Sequence, residues 1–217
     1  MLTFSWFGQA CFKIENSCVL LTDPHDGDSV GLEPPEENVA DLVTISHDHH
    51  DHSSGKELVS QKNTKIFDDS GDYVEGPVSI TGITSYHDKA EGEKRGENII
   101  YVIEMEGTRI CHLGDLGHGL SESYLEKMGS VDVLLVPVGG NYTIDGKEAA
   151  EITEELNPQV VVPMHYKAGS LTVDVAGPDQ FLEEISSTYE VCERESLDLE
   201  SLYENKQRAV VLDCLGC

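Results

Sequence analysis

The sequence predicts a layered α/β fold, in which helices pack on sheets of buried strands. Segments 131–137 and 159–163 are continuous apolar runs, the pattern of strands that are covered on both faces. Strand patterns cluster in each half of the chain, and helical patterns come late in each half. The length of 217 residues suits one domain, residues 1–217, with a sizeable core.

Strand patterns dominate the first half of the chain. Apolar and β-branched runs between turn residues predict strands at 3–7, 11–15, 18–22, 41–46, 64–67, 73–74 and 78–86. A short helix is expected at 53–61. Residues 25–40 are rich in glycine, proline and acids, so we expect a loop in which His25 is a surface residue.

The second half of the chain adds helices between the strands. Strands are expected at 98–105, 109–113, 131–137, 159–163, 189–192 and 208–213. Helices are expected at 121–128, 145–157 and 177–186. Ser121 is placed to cap the first of these helices, and Asp145 and Glu148 have the spacing of a capping box for the second.

Residues 47–52 form the most informative motif, with four polar residues in the pattern His-x-His-x-Asp-His directly after a buried strand. Residues two apart in extended backbone point the same way, so His47 and His49 can bind one cation together. Asp51 and His52 follow as the chain turns and can face a second cation. Imidazole and carboxylate suit zinc, manganese or ferrous iron and suit calcium poorly. The alternative is a solvated polar loop.

This motif resembles the signature of the metallo-β-lactamase superfamily. Further matches follow the order that the superfamily uses, at Asp23, His87, Asp115 and His165. The stretches 95–98, 112–118 and 139–143 resemble, more narrowly, the small hydrolases related to the L-ascorbate-6-phosphate lactonases. The resemblance implies a four-layer αββα sandwich, with two mixed β-sheets face to face and helices on the outer faces.

The resemblance also implies a centre for two divalent ions, with zinc expected and manganese or iron as alternatives. His47, His49 and His87 would bind the first ion. Asp51, His52 and His165 would bind the second ion. Asp115 would bridge the two ions.

Three further residues are assigned roles around this centre. Asp23 would brace the histidine loop, the alternative being a turn aspartate before proline. Asp51 would also transfer a proton during turnover. His118 would reach the substrate or orient Asp115. His112 is expected to be a strand histidine whose hydrogen bonds are satisfied within the fold.

A basic stretch after His87 predicts a substrate contact. Lys89, Lys94 and Arg95 lie within seven positions of each other in an otherwise acidic chain. The Arg95 guanidinium could bind a carboxylate or phosphate through two parallel hydrogen bonds, the alternative being a loop of solvated charges. Tyr142 lies in a glycine loop that could approach the same site, and we expect it to contact substrate.

The composition limits the partners. Forty-one acidic residues face 14 basic ones, which gives a formal net charge of −27. Such a surface repels nucleic acids and anionic membranes, so a small molecule is the expected partner. The N-terminus lacks a signal-peptide pattern and no stretch reaches the length of a membrane span, so a cytoplasmic location is expected. A homo-oligomer stays open as an alternative to a monomer.

The predicted function is metal-dependent hydrolysis at a dinuclear site, in which metal-bound hydroxide attacks a small anionic ester or lactone. The alternatives are a phosphodiesterase acting on a small nucleotide-like substrate and a non-catalytic or redox metal-binding protein. The redox alternative is weakened because di-iron members of the superfamily typically carry glutamate at the position of His49 and join a flavin domain.

The six cysteines do not predict a disulfide framework in a chain of this length. Cys11, Cys18 and Cys111 lie in or beside apolar strands, where buried thiols are common. The pair Cys214 and Cys217 at the C-terminus reads as a strand end and a tail, rather than as a zinc or redox site.

Overall fold

Two β-sheets form the body of the protein in the computed structural model, which describes residues 2–199 and 206–217. The strands of these residues are β1 (Thr3–Trp6), β2 (Phe12–Glu15), β3 (Val19–Thr22), β4 (Ala40–Thr44), β5 (Ser60–Phe67), β6 (Gly71–Glu75), β7 (Val78–Tyr86), β8 (Glu97–Met105), β9 (Thr108–His112), β10 (Val133–Pro137), β11 (Val160–Met164), β12 (Glu190–Arg194), β13 (Leu197–Asp198) and β14 (Arg208–Leu212). The helices are α1 (His50–Ser53), α2 (Lys56–Val59), α3 (Glu122–Met128), α4 (Gly146–Leu156) and α5 (Asp179–Ile185).

Both sheets are mixed, as predicted. The six-stranded sheet has the order β13-β1-β2-β3-β4-β5, with β3, β4 and β5 parallel and the remaining pairs antiparallel. The eight-stranded sheet has the order β12-β14-β11-β10-β9-β8-β7-β6. Its strands β9, β10, β11, β14 and β12 run parallel, whereas β6 to β9 form an antiparallel meander.

The two sheets share one hydrophobic core. Phe4 and Phe12 of the first sheet and Ile100 and Leu134 of the second are fully buried members of the same cluster. Tyr101 links the sheets more directly, because its hydroxyl donates to the carbonyl of Ile45 at 3.0 Å. This packing fixes the position of one sheet edge relative to the other.

The topology places the ends of several strands at a common edge. The parallel strands β3 and β4 lead into Asp23 and into residues 46–52. In the second sheet β9 and β11 share a direction, and they lead into Asp115 and His165. Strand β7 is antiparallel to β8, which is antiparallel to β9, so its end at His87 lies on the side where β9 ends.

Most predicted elements are found, with small shifts at their ends, but the helix expected at 53–61 is shorter than predicted, since only α2 (Lys56–Val59) lies fully within that range. Two single-turn helices occupy this region, and Ser60 already pairs with Ala40 in the first sheet. Gly55 lies between the helices, and a Cβ there would lie 2.3 Å from the carbonyl oxygen of His25. The two-residue strand β13 was not predicted, since so short a segment carries no periodicity.

The two predicted helix caps have different outcomes. Asp145 and Glu148 form the capping box at the start of α4, with the Asp145 side chain accepting from two backbone N–H groups. Ser121 is the residue before α3, but its side chain makes no capping hydrogen bond. Its hydroxyl instead lies 2.9 Å from that of Ser123.

His25 is not a surface residue. Its ring is fully buried, with Nε2 3.0 Å from the carbonyl oxygen of Phe7 and Nδ1 accepting from the backbone of Gly27 at 3.1 Å. The backbone of Phe7 and of Gly27 thus engages both nitrogens of the ring. Among the described residues, no helix is both long and apolar enough to cross a membrane.

Two of the three cysteines expected in or beside buried strands are buried, whereas Cys18 is half-buried. Cys11 and Cys111 are buried thiols, and burial raises the pKa of both well above the ordinary value. Cys214 and Cys217 form a disulfide, which differs from the expected strand end and tail without a bond. The tail turns back on itself so that the Cys217 N–H donates to the Cys214 carbonyl at 3.2 Å, bringing the two side chains together.

Candidate metal centre

Three histidines form the first group of potential ligands. One ring nitrogen from each of His47, His49 and His87 lies within 4.8 Å of the others. His47 Nε2 is 2.9 Å from His49 Nδ1, and the rings of His47 and His87 have centroids 4.9 Å apart. Three imidazoles converging in this way are a common donor set for zinc and similar ions.

A second group lies beside the first. Asp51, His52 and His165 also offer ligand atoms within 4.8 Å of one another. His52 Nε2 is 3.5 Å from Asp51 Oδ2, and the His52 and His165 rings are stacked with centroids 5.8 Å apart. This group combines two imidazoles with one carboxylate, which suits the same range of metals.

Asp115 lies between the two groups. Its Oδ2 is 3.1 Å from His87 Nε2 and 3.3 Å from His165 Nε2. Its Oδ1 is 3.3 Å from His52 Nε2. One carboxylate therefore faces histidines of both groups, which is the position that a bridging ligand requires.

Unpaired buried atoms at this centre fit a bound cation. Within the described chain, His52 Nε2 and Asp115 Oδ1 are buried without a hydrogen-bond partner. Buried polar atoms almost always find a partner, and those that do not call for an explanation such as a bound ion. The donor types and their convergence agree with that explanation.

The charges at the centre favour a positive group at His52. Burial alone would lower the pKa of His52, but the carboxylates of Asp115, Asp51 and Asp23 raise it well above the ordinary value. Burial and the charge on His52 lower the pKa of His47 to about 3. The cluster thus stabilises positive charge at one point among three carboxylates.

Asp23 braces the histidine loop through two routes. It is fully buried, and its Oδ2 accepts from His52 Nδ1 at 2.9 Å and from the Ser46 hydroxyl at 2.7 Å. The Ser46 hydroxyl oxygen in turn lies 2.9 Å from His47 Nδ1. These contacts hold the Nδ1 protons of His52 and His47, so both Nε2 atoms are left for the cluster.

Gly114 and Asn98 place Asp115. Gly114 has φ +55°, and a Cβ there would lie 2.4 Å from Asn98 Oδ1. That amide oxygen accepts from the Asp115 backbone N–H at 2.9 Å, while its amide nitrogen donates to the Leu113 carbonyl. The glycine lets β9 turn sharply, and the buried amide fixes the turn.

Three residues at this centre were not predicted to contribute, namely Gln9, Ser46 and Asn98. Each is a fully or almost fully buried polar residue near a strand end or tight turn. Such residues need partners, so a buried amide or hydroxyl beside a ligand motif is the signal that could have identified them. Gln9 Nε2 donates to Asp51 Oδ2 at 2.9 Å.

A cavity of about 610 Å³ opens onto the centre. Its lining includes four residues of the two ligand groups, His49, Asp51, His87 and His165, together with Asp115. Arg95, Lys94 and Tyr142, all from loops, form another part of the wall. The volume lies within the range of small-molecule sites.

The Arg95 side chain is held in a fixed position at this wall. Its Nη1 donates to the Asn141 carbonyl at 2.8 Å, and its guanidinium carbon lies 4.9 Å from the centre of the Tyr142 ring. Asp88 organises the loop before it by accepting four backbone N–H groups, including that of Arg95 at 2.8 Å. Lys89 instead pairs with Glu148.

Comparison with known proteins identifies the family. A model described as the beta-lactamase superfamily domain matches residues 3–165, which is more than half of the chain. The chain belongs to the metallo-β-lactamase superfamily. Its predicted fold class, two mixed sheets with helices, is confirmed by the same match and by solved structures.

Relatives of this metallo-β-lactamase superfamily member span most of its length. A metal-dependent hydrolase from Thermococcus onnurineus is 32% identical over 215 aligned positions, covering 88% of this chain and 95% of the relative. A structure of a superfamily member from Thermotoga maritima has a TM-score of 0.79 and 38% identity, over 98% of this chain and 99% of that one. The protein is therefore a metal-dependent hydrolase of this superfamily, while the narrower resemblance to the lactonase-related branch stays a prediction.

A more distant structure extends the likeness in fold. A metallo hydrolase from Ignicoccus hospitalis has a TM-score of 0.69 and 20% identity, over the whole of this chain and 96% of that one. At that identity the likeness concerns the metallo-β-lactamase fold alone.

His118 does not join the metal centre of this superfamily member. Its Nε2 accepts from the Tyr86 backbone at 3.2 Å, and its Nδ1 lies 2.7 Å from the Gly119 carbonyl oxygen. The ring lines a separate pocket beside Tyr86 and Tyr124. Both ring nitrogens are bonded to backbone atoms, so His118 does not orient Asp115 directly, and its expected role at the substrate stays a prediction.

His112 behaves as expected of a structural histidine. It is fully buried at the end of β9, and its Nε2 lies 2.9 Å from the Ala10 carbonyl oxygen. Its Nδ1 accepts from the Gly114 backbone at 3.3 Å. With both nitrogens engaged, it links the two sheets near the centre without facing it.

Proposed function

We propose that this metal-dependent hydrolase holds two divalent ions and cleaves a small anionic ester or lactone. The observation that carries the proposal is the pair of three-residue ligand groups, His47, His49, His87 and Asp51, His52, His165, with Asp115 between them. Zinc is the first choice of metal, because five imidazoles dominate the set, and manganese or iron are the alternatives.

The bound ions would supply a lowered pKa for water and stabilisation of negative charge on the reacting carbonyl or phosphoryl group. The residues of the chain orient the ligands and transfer the proton. Asp23 and Ser46 fix the histidine tautomers, and Asn98 fixes Asp115. Asp51 is the proton-transfer group of the proposal, because its side chain is 15% exposed and lines the cavity.

The anionic substrate class is inferred from the cavity wall. Arg95 and Lys94 place positive charge at the cavity of a protein whose formal net charge is −27. Arg95 is already oriented by the Asn141 carbonyl and the Tyr142 ring, so little side-chain entropy is lost when it binds an anion. The surrounding acidic surface favours small molecules over nucleic acids and membranes, and a cytoplasmic location belongs to the same proposal.

A small phosphodiester is the second candidate, since Arg95 and Lys94 suit a phosphate as well as a carboxylate. A panel experiment separates the candidates. Protein of measured metal content is assayed with lactones, carboxylic esters and bis(p-nitrophenyl) phosphate. Turnover of lactones or esters, with anionic examples preferred, supports the proposal, whereas turnover of the phosphodiester alone supports the second candidate. Metal-loaded protein that hydrolyses none of them would favour a non-catalytic or redox role.

A further inference from the structure

Gln9 lies among the proposed ligands of the second ion. Its side chain is fully buried, and its Nε2 is 2.9 Å from Asp51 Oδ2. The same nitrogen is 3.2 Å from His165 Nε2. A carboxylate oxygen and an imidazole nitrogen, both proposed ligand atoms, therefore converge on one end of the Gln9 amide.

The backbone holds Gln9 firmly in this position. Its φ of +47° lies in the left-handed region, which residues with a Cβ seldom adopt. Its carbonyl oxygen accepts from the Trp6 indole N–H at 2.9 Å and from the His165 backbone N–H at 3.0 Å. Non-glycine residues in this conformation persist where the surroundings fix them, and they cluster at functional sites.

The other end of the amide is unsatisfied. Gln9 Oε1 is buried and has no hydrogen-bond partner among the described residues. The nitrogen and oxygen ends of an amide are nearly the same in size and shape, so a half-turn of the terminal group exchanges them without moving other atoms. A cation that took the lone pairs of Asp51 and His165 would repel the amide N–H group and attract Oε1.

We infer that Gln9 is an oxygen ligand of the second ion, an inference that rests on the proposed two-ion centre. The amide turns over as the ion binds, so Oε1 replaces Nε2 beside Asp51 and His165. No bond is made or broken other than hydrogen bonds and coordination. Oε1 thereby gains the ion as its partner, while Nε2 gives up its contacts with Asp51 and His165 and takes the position that Oε1 leaves.

With Gln9 as a ligand, the two ions would have different sets of ligand atoms. The first group consists of His47, His49 and His87 and offers nitrogen alone besides the shared Asp115. The second would add the amide oxygen of Gln9 to the carboxylate of Asp51. Oxygen ligands favour harder ions such as Mn²⁺, so the second position should accept manganese more readily than the first.

Two variants of nearly constant volume test the role of Gln9. Protein treated with chelator is titrated calorimetrically with Zn²⁺ and with Mn²⁺. For Gln9→Met, which removes both polar atoms, we expect the second binding step to weaken by about tenfold or more while the first step is unchanged. For Gln9→Glu, which supplies an oxygen but no N–H, we expect the second step to be at least as tight as in the wild type. Gln180→Ala, on the exposed face of α5, is the control and should match the wild type.

The Glu variant separates ligation from simple support of Asp51. If the amide only donated to Asp51, Gln9→Glu would place two carboxylates together without a donor and weaken the second step as much as Gln9→Met. That result, or a second step unchanged or tighter in Gln9→Met, would overturn the inference while leaving the two-ion centre intact. Wild-type protein that binds fewer than two ions would overturn both.

Discussion

Asp23 Oδ2 lies 2.9 Å from His52 Nδ1, and the same carboxylate accepts from both the backbone and the hydroxyl of Ser46. Burial alone would raise the pKa of Asp23, but the charge on His52 and their hydrogen bond lower it, so the carboxylate stays ionised. One buried acid thus sets the orientation of His52 directly and that of His47 through Ser46.

Asp23→Asn should weaken metal binding without removing a ligand. An amide cannot accept all three of these hydrogen bonds, so His52 and His47 lose their fixed tautomers. We expect metal affinity to fall roughly 10- to 100-fold, measured by calorimetric titration. Asp41→Asn is the control, because Asp41 is exposed and also accepts a backbone N–H, from Val19 at 2.9 Å. Equal metal affinities for both variants and the wild type would show that Asp23 does not support the metal centre.

His49→Ala should lose metal and hydrolytic activity together. His49 belongs to the first ligand group, so we expect its loss to weaken binding of that ion by about 100-fold or more. His50→Ala is a close control, because His50 lines the same cavity but belongs to none of the ligand groups. Metal content and turnover are measured on the same samples. Full activity in His49→Ala, or loss of metal in His50→Ala, would contradict the assignment.

Arg95→Ala should discriminate between charged and neutral substrates. We expect KM for anionic substrates to rise about tenfold, the loss typical of one hydrogen bond to a charged group, with little change for neutral ones. The control is Lys89→Ala, since Lys89 pairs with Glu148 and does not line the cavity. Steady-state kinetics on matched charged and neutral esters provide the measurement, and a uniform effect on both would argue against anion recognition by Arg95.

Metal binding should release protons near neutral pH. The pKa of His52 is raised well above 6.5, so in chelator-treated protein His52 keeps its proton between pH 6.5 and that higher value. The protonated form stabilises the fold at low pH, and this contribution disappears as pH rises through the folded-state pKa. An ion needs the neutral ring, so about one proton should leave on binding and affinity should rise with pH across this window. Binding heats at about pH 7.5 that do not depend on the ionisation enthalpy of the buffer would contradict this.

Gly114→Ala should destabilise the fold by about 1–3 kcal/mol, because the substitution combines an unfavourable φ with a collision. Its Cβ would lie 2.4 Å from Asn98 Oδ1 and 2.6 Å from the Ser46 side chain. Gly107→Ala is the matched control, since Gly107 also has a positive φ but nothing within 4 Å of the added Cβ. Urea unfolding gives the free energy of unfolding of both variants. The difference between the two values is the cost of the collision, because both substitutions share the unfavourable φ. Equal stabilities would mean that Asn98 moves without cost.

The fold was predictable because its strands are continuous apolar runs that end at polar residues. The segments before His52, Asp115 and His165 all show this pattern. Their convergence needed the resemblance to a known family, because local patterns do not report which strands become neighbours. The structure brings the proposed ligands together.

The positions of His118, His25 and Gln9 depend on contacts between residues that are far apart in the sequence, which a local sequence pattern does not contain. His118 is three residues beyond Asp115, but Gly117 packs so closely on His87 that a Cβ would lie 2.3 Å from its carbonyl carbon. The Gly117 N–H also donates to the Tyr86 carbonyl at 3.0 Å, and the His118 ring lies beside Tyr86 and Tyr124. His25 is buried by the backbone at Phe7, and Gln9 reaches Asp51 across 42 positions of sequence.

The most direct test is a crystal structure of the protein with Zn²⁺ or Mn²⁺, with anomalous diffraction data collected at the absorption edge of the metal. We predict two anomalous peaks, one among His47, His49 and His87 and the other among Asp51, His52 and His165, with the carboxylate of Asp115 between them. A well-ordered crystal of active protein with no anomalous peak inside this cluster would contradict the account.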